Sequence, residues 1–333
     1  MDRIAGITSN TVPWEVLRAA GYTPRLLDNE PGPTPFADRF MEDVFETRIR
    51  VIFDRLCSGV WNHLDVVVFP RTSEQEHKLY LYLREMSRLG YSQGMPRLYL
   101  YNLLHTRSPE SYDYGLERTR QMVLDFGASE SNLRDAIAES NRARAAVRGI
   151  LQLRQEGRME GSVAFDLIQE FYTTNRDQFA DYVRTRQKLS NSTTRPRILI
   201  KGVSQVQPTL HRFVEHYGGY VVAEDDWRGS RAAGDADIPM EKDPVVAIFE
   251  KYFYDAVSPR IHPPDQADAW FRREIERGQV KGVLFYIPLE DDILGWEYPR
   301  HLALLQSRGV PSLLVRDSEA PEVAAFVESL RRG

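Results

Sequence analysis

Val66-Val67-Val68-Phe69-Pro70 is the stretch on which the fold turns. A short β-branched run that stops at a proline has the character of a buried parallel strand. Arg97-Leu98-Tyr99-Leu100-Tyr101 is a second candidate strand, and Gln75 to Leu89 between them reads as a helix. The same rhythm extends towards the N-terminus. Ile4 to Ile7 reads as a strand, Pro13 suits the first turn of a helix, and Gly21 suits its end. Alternation of strand, helix and strand implies right-handed crossovers and a parallel sheet.

From Ser108 to Lys188 the chain is rich in Arg, Glu, Gln and Ala, with Leu133, Ala136 and Ile137 at helical spacing. Ser190 to Thr194 is a polar connector. A second α/β unit then opens with Arg197-Ile198-Leu199-Ile200-Lys201-Gly202. It continues with a helix over Thr209–Tyr217, a strand Tyr220–Ala223 followed by Glu224-Asp225-Asp226, strands Gly282–Tyr286 and Pro311–Val315, and a final helix Val323–Leu330. The expected organisation is an α/β domain over 1–107, a helical linking segment over 108–190 and an α/β domain over 191–333. Open parallel sheets bind ligands beyond the carboxyl ends of their strands. The loops after Phe69, Ala223 and Tyr286 are therefore the places to look for a site.

Composition narrows the class. In 333 residues, hydrophobic types make up 42% and charged types 27%, as in ordinary globular proteins. The length suits two domains of about 150 residues. The net charge of −5, with no strongly basic stretch, argues against nucleic acid as a partner. No apolar run approaches the roughly 20 residues needed to span a bilayer. The opening MDRIAGITSNTVPW lacks the layout of a signal peptide, so a cytoplasmic location is expected. There is no Walker P-loop or GxGxxG, and the histidines show no zinc spacing, so no metal is assigned to them. The single cysteine, Cys57, excludes an internal disulfide. It falls on an expected helix, Phe45 to Gly59, and reads as a buried structural thiol.

Several segments together resemble a known family, and they span nearly the whole chain. Val12-Pro13-Trp14-Glu15-Val16-Leu17-Arg18-Ala19-Ala20-Gly21 and Leu64-Asp65-Val66-Val67-Val68-Phe69-Pro70 are two of them. Ala223-Glu224-Asp225-Asp226-Trp227-Arg228-Gly229-Ser230-Arg231 and Gly282 to Asp292 followed by Trp296-Glu297-Tyr298-Pro299 are the others. In order and spacing the chain resembles the D-component family of (R)-2-hydroxyacyl-CoA dehydratases, which includes subunits of benzoyl-CoA reductases. The resemblance implies two flavodoxin-like or Rossmann-like parallel-sheet domains joined by a helical segment. It also implies a lyase or reductase complex acting on acyl-CoA thioesters, built as a heterodimer of related subunits. It further implies a separate ATP-dependent activator that delivers one electron, and an iron–sulfur-bearing catalytic subunit in which a ketyl radical anion of the CoA thioester permits loss of the β-proton and the α-hydroxyl.

The departures from that pattern lie at the cluster. The family's Cys-Asp pair after the second strand reads Ser73-Glu74 here, and the thiolate of its Phe-Cys-Asp segment falls on Asp291, within Glu290-Asp291-Asp292. An upstream family cysteine falls near Glu46, and the cysteine of the Asp-Asp-Cys stretch falls on Trp227. Cys57 matches none of them. Such a cluster takes about three or four thiolates. The expectation is a cluster-free accessory subunit that shapes the acyl-CoA site of a partner carrying the iron–sulfur cluster, with no cofactor in this chain. Two alternatives stand beside it: a stand-alone member with repurposed acid/base or metal chemistry at Glu46, Ser73 and Asp291, and a non-catalytic scaffold. Oxygen donors of that kind suit hard cations or proton transfer, and they equally suit remnants of a lost site. Trp227 either fills the volume of the cluster or lines a substrate surface. The Ser204–Pro208 loop either presents backbone N–H groups to an anion, such as part of a CoA thioester, or is a simple turn. Asp225 and Asp226 are read as a cap or as partners of Arg228 or Arg231.

Overall fold

The computed structural model describes residues 3–27, 32–71, 73–92, 94–255, 261–289, 291 and 293–332. The N-terminal part runs β1 (Arg3–Ile7), α1 (Trp14–Ala19), β2 (Tyr22–Leu26), α2 (Pro35–Phe40), α3 (Thr47–Cys57), β3 (Val66–Pro70), α4 (Glu74–Arg88) and β4 (Arg97–Tyr101). Four helices follow: α5 (Pro109–Phe126), α6 (Glu130–Gln155), α7 (Gly161–Gln169) and α8 (Arg176–Arg186). The remainder runs β5 (Arg197–Gly202), α9 (Thr209–His216), β6 (Tyr220–Asp225), α10 (Pro244–Glu250) with a π-helical turn at Lys251–Asp255, α11 (Asp265–Gly278), β7 (Gly282–Tyr286), α12 (Leu294–Ser307), β8 (Ser312–Val315) and α13 (Pro321–Arg332).

The strands form two four-stranded parallel sheets, ordered β2-β1-β3-β4 and β6-β5-β7-β8. The second order is the first one repeated. Each reverses its strand sequence once, between β1 and β3 and between β5 and β7, where doubly wound sheets hold ligands. The protein is therefore an α/β protein with two parallel-sheet domains. By compactness the chain divides into one unit of Met1–Arg142, Tyr172–Asn175 and Asp237–Pro263, and another of Ala143–Phe171, Arg176–Ala236 and Pro264–Gly333.

Local sequence accounts for most element ends. Ser108 accepts a hydrogen bond from the Ser111 N–H, Pro109 occupies the first turn, and Gly127 at φ 70° closes α5. Two features depart from the sequence reading. β2 was not expected, because Pro24 interrupts its apolar pattern; the proline is tolerated because β2 is an edge strand. β6 continues through Glu224 and Asp225, so the loop begins at Asp226 rather than after Ala223.

In the second unit both sheet faces are covered. Ile198, Ile200 and Val221 pack with Leu210 and Val214 of α9 and Val323 and Val327 of α13. Leu199, Tyr220, Val222, Val283 and Phe285 pack with Phe271 and Ile275 of α11 and Leu305 of α12. Each such fully buried side chain contributes about 1.5–3 kcal/mol. Strand alternation, shifted in phase along β6 where its register against β5 slips between Val221 and Ala223, then assigns the polar residues at the strand ends to one face or the other.

Gly202, the last residue of β5, lies against β7 so closely that an added Cβ would fall 1.9 Å from the Tyr286 carbonyl oxygen. Gly149, within α6, has open space at the same position. We predict that Gly202→Ala costs more than about 3 kcal/mol or prevents soluble expression, since backbone cannot yield as a side chain can. Gly149→Ala should gain up to about 1 kcal/mol. Urea titration of both variants checks the pair.

Candidate functional site

At the carboxyl end of the second sheet, two adjacent carboxylates point to opposite faces of β6. Glu224 faces α9 and α6. Its Oε1 accepts from Arg154 Nη1 at 2.5 Å and lies 2.7 Å from His211 Nε2, and Arg154 also donates to Ser230 Oγ at 3.1 Å. Asp225 faces α11 and α12. Lys201 Nζ donates to its Oδ2 at 2.6 Å, and Arg231 Nη2 lies 2.6 Å from its Oδ1. All these side chains are buried. Burial alone would push both carboxyls up, but Arg154 with His211, and Arg231 with Lys201, hold them below the usual carboxylate range. Removing one partner from such a pair costs about 3–5 kcal/mol, because an uncompensated charge stays in the interior.

The set around Asp225 extends into α11 and α12. His301 is 1% exposed, and its Nε2 donates to Asp268 Oδ1 at 2.9 Å. Burial, then the charge of Lys201, pushes His301 down to about 4. Glu297 Oε2 lies 3.9 Å from both Lys201 Nζ and His301 Nδ1. Its carboxyl is pushed up by burial. Beside this set, Asp226 accepts the N–H groups of Arg228 and Gly229, each at 2.7 Å, and the hydroxyl of Ser204 at 3.2 Å. Burial and the neighbouring Glu224 push Asp226 up to about 6.

The residues singled out from sequence fall in both units. In the first, Ser73 caps α4, its Oγ accepting the Glu76 N–H at 3.1 Å. Glu46 is the residue before α3, and its N–H donates to Gln75 Oε1 at 2.6 Å. Gln75 belongs to the first turn of α4, so the fold brings Glu46 and Ser73 to neighbouring helix starts. In the second unit Asp291 heads α12, its Oδ1 accepting from Ile293 at 3.1 Å, Leu294 at 2.6 Å and Gly295 at 3.2 Å. Ser204 reaches Asp226, and the partly buried Trp227 carries the Arg228 guanidinium 5.7 Å over its ring. Glu290 and Asp292 lie outside the described residues. Asp225 does pair with Arg231, as the sequence suggested.

The three candidate replacements for thiolates thus all stand at helix N-termini. Ser73 and Asp291 spend an oxygen on backbone N–H groups there. Cys57 is 4% exposed within an apolar cluster with Phe53, Leu56 and Trp61. Burial and then Asp54 push its thiol up to about 12. A carboxylate, a hydroxyl and an indole do not fit the thiolate requirement of an iron–sulfur cluster. Among the described residues no group of three or more His, Cys, Asp or Glu is arranged to hold a metal ion, and no helix is long and apolar enough to cross a membrane.

Sequence reasoning passed over Lys201, Glu297 and His301. One signal was legible: Lys201 is a charge closing an apolar strand, and such a residue needs a buried partner.

The family model of the 2-hydroxyglutaryl-CoA dehydratase D-component matches residues 10–330. A protein of Escherichia coli strain K12 named "Putative dehydratase subunit YjiM" is 27% identical over 236 residues, covering 66% of this chain and 60% of that protein. The chain thus spans about 60% of the length of this curated relative. The chain belongs to the 2-hydroxyglutaryl-CoA dehydratase D-component family.

Two outcomes follow from the geometry. Ser73→Ala and Asp291→Ala should each cost about 0.5–2 kcal/mol, whereas Asp291→Asn, which can still cap, should stay within about 0.5 kcal/mol of wild type. Chemical denaturation measures this. The second concerns pH. A histidine held neutral in the fold binds fewer protons than in the unfolded chain between 6.5 and 4, so its contribution is full above that window and is lost as pH falls through it. The stability difference between wild type and His301→Gln should shrink by on the order of 1 kcal/mol per pH unit there. Melting curves at stepped pH would show it, and a constant difference would count against a neutral buried His301.

Proposed function

We propose that this member of the dehydratase D-component family is the cluster-free accessory subunit of a 2-hydroxyacyl-CoA dehydratase or benzoyl-CoA reductase-type complex. In this reading it binds a homologous subunit that carries the iron–sulfur cluster and completes the acyl-CoA site of that partner. An ATP-dependent activator would supply the electron to the partner.

One observation carries the reading. The positions aligned with cluster thiolates hold Glu46, Ser73, Asp291 and Trp227, and the sole cysteine lies elsewhere in an apolar core. Soft iron–sulfur centres are ligated by thiolate sulfur, while carboxylate and hydroxyl oxygens suit harder ions. The hydrogen bonds of Ser73 and Asp291 to helix N-termini favour this reading over a new metal site at those residues. Within the complex, the chain's own contribution would be a polar surface at the sheet's carboxyl end, with Ser204 and Trp227 beside the ligand. Its buried ion pairs would keep that surface in one arrangement.

Anaerobic reconstitution of the purified chain with iron and sulfide, followed by metal analysis and EPR, tests the proposal. The expected result is no stoichiometric cluster in this chain, and a stable complex with a cysteine-rich homologue on size-exclusion with light scattering. A cluster bound at full occupancy by the isolated chain would overturn it.

A further inference from the structure

In the second unit a mixed set of ionisable side chains closes around Glu297. Lys201 comes from the end of β5, Asp225 from the end of β6, and Arg231 from the loop beyond it. Asp268 and Glu274 come from α11, and Glu297, Arg300 and His301 from α12. Most of them are committed. Lys201 is held by Asp225 at 2.6 Å, and Asp225 also takes Arg231. His301 Nε2 is held by Asp268, which takes Arg300 as well, at 2.9 Å. Among the described residues Glu297 has two charged or ionisable neighbours at 3.9 Å, beyond hydrogen-bonding distance, and no closer ion-pair partner. His301 Nδ1, on the side facing Glu297, is buried without a hydrogen-bond partner.

Glu297 is also the member of the set that combines burial with access. Its side chain is 14% exposed, against 5% for Lys201 and 1% for His301. It stands in the first turn of α12, on the segment following β7, beside the end of β5. That is the point where the strand order reverses, the usual ligand position of such sheets. The helix-start N–H groups of Ile293, Leu294 and Gly295 are already taken by Asp291. Of the two described carboxylates on this segment, Asp291 therefore serves the helix and Glu297 is available for chemistry.

We propose that Glu297 is a catalytic acid/base residue that exchanges a proton with an acyl thioester at the carboxyl edge of the second sheet, with Lys201 and His301 as its positioning residues. The proposal rests on the reading that this family member completes an acyl-CoA site. In the forward step a C–H or O–H bond of the ligand breaks. The electron pair stays on the ligand, and the proton forms an O–H bond on the Glu297 carboxylate. In the return step the Glu297 acid gives that proton to a ligand oxygen or carbon. The Lys201 charge, 3.9 Å away, attracts the carboxylate, the unpartnered His301 Nδ1 faces the protonated acid, and burial raises the proton affinity of Glu297.

The test has two arms. In the first, the full chain is treated near neutral pH with dicyclohexylcarbodiimide, which reacts with protonated carboxyls, and the adducts are mapped by mass spectrometry. Labelling at Glu297 should exceed that of exposed glutamates by about tenfold for each unit of raised pKa. It should fall when crotonyl-CoA is present and should vanish in Glu297→Gln. Labelling no greater than at surface glutamates, or labelling indifferent to crotonyl-CoA, overturns the proposal whatever the complex does. In the second arm the chain is assembled with its cluster-bearing partner and turnover is followed against pH. Glu297→Gln should lower kcat by about 10²- to 10⁴-fold, with KM and Tm little changed and one limb of the pH profile removed. Glu297→Asp should restore part of the rate. Wild-type turnover matched by Glu297→Gln also overturns it. If no assembly turns over, the accessory-subunit reading fails, and the labelling arm alone decides the role of Glu297.

Discussion

Two neighbouring carboxylates, Glu224 and Asp225, end a fully buried strand, and the second unit is organised around the need to neutralise them. Side-chain alternation sends one to each face of the sheet. Each face must therefore supply its own partners: Arg154 and His211 on one side, Lys201 and Arg231 on the other. This requirement ties α6, α9, β5 and the loop after β6 to a single point. Desolvation of such groups is costly, so the arrangement is better understood as a demand for one geometry than as a surplus of stability.

The same point is where the parallel sheet places its strand ends. Gly202 lets β5 approach β7 to a distance no other residue permits. Lys201 is thereby brought beside the start of α12. Asp291 fixes that start by accepting backbone N–H groups, and Glu297 follows one turn later. Chemistry and architecture thus meet at the reversal point of the strand order, as they do in other doubly wound sheets.

The first unit repeats the strand order without the same charge network. β3 leads into Ser73 at the start of α4, and Glu46, beyond α2, stands at the start of α3. A helix N-terminus favours an anion, whether a thiolate or a carboxylate, because its N–H groups and dipole attract negative charge. Ser73 and Asp291 are residues that cap helices well. This accounts for how Ser73 and Asp291 serve the fold where they stand.

The amino-acid sequence by itself determined the parallel α/β character, because runs such as Val66–Pro70 and Arg197–Gly202 have only one reading as buried strands between helical segments. It also determined the family, through motifs spread from Val12 to Pro299, and the lack of a thiolate set, since only Cys57 is present. It left β2 hidden, because Pro24 breaks the strand pattern and only its edge position makes it acceptable. The candidate site was legible in part: Glu46, Ser73 and Asp291 stood out by alignment, but their use as helix starts depends on backbone geometry. Glu297 and His301 are four residues apart on α12, but Lys201 lies far from them along the chain. Only the tertiary structure brought the Lys201 Nζ to 3.9 Å from Glu297, because strand order and helix packing, rather than local spacing, decide which buried charges meet.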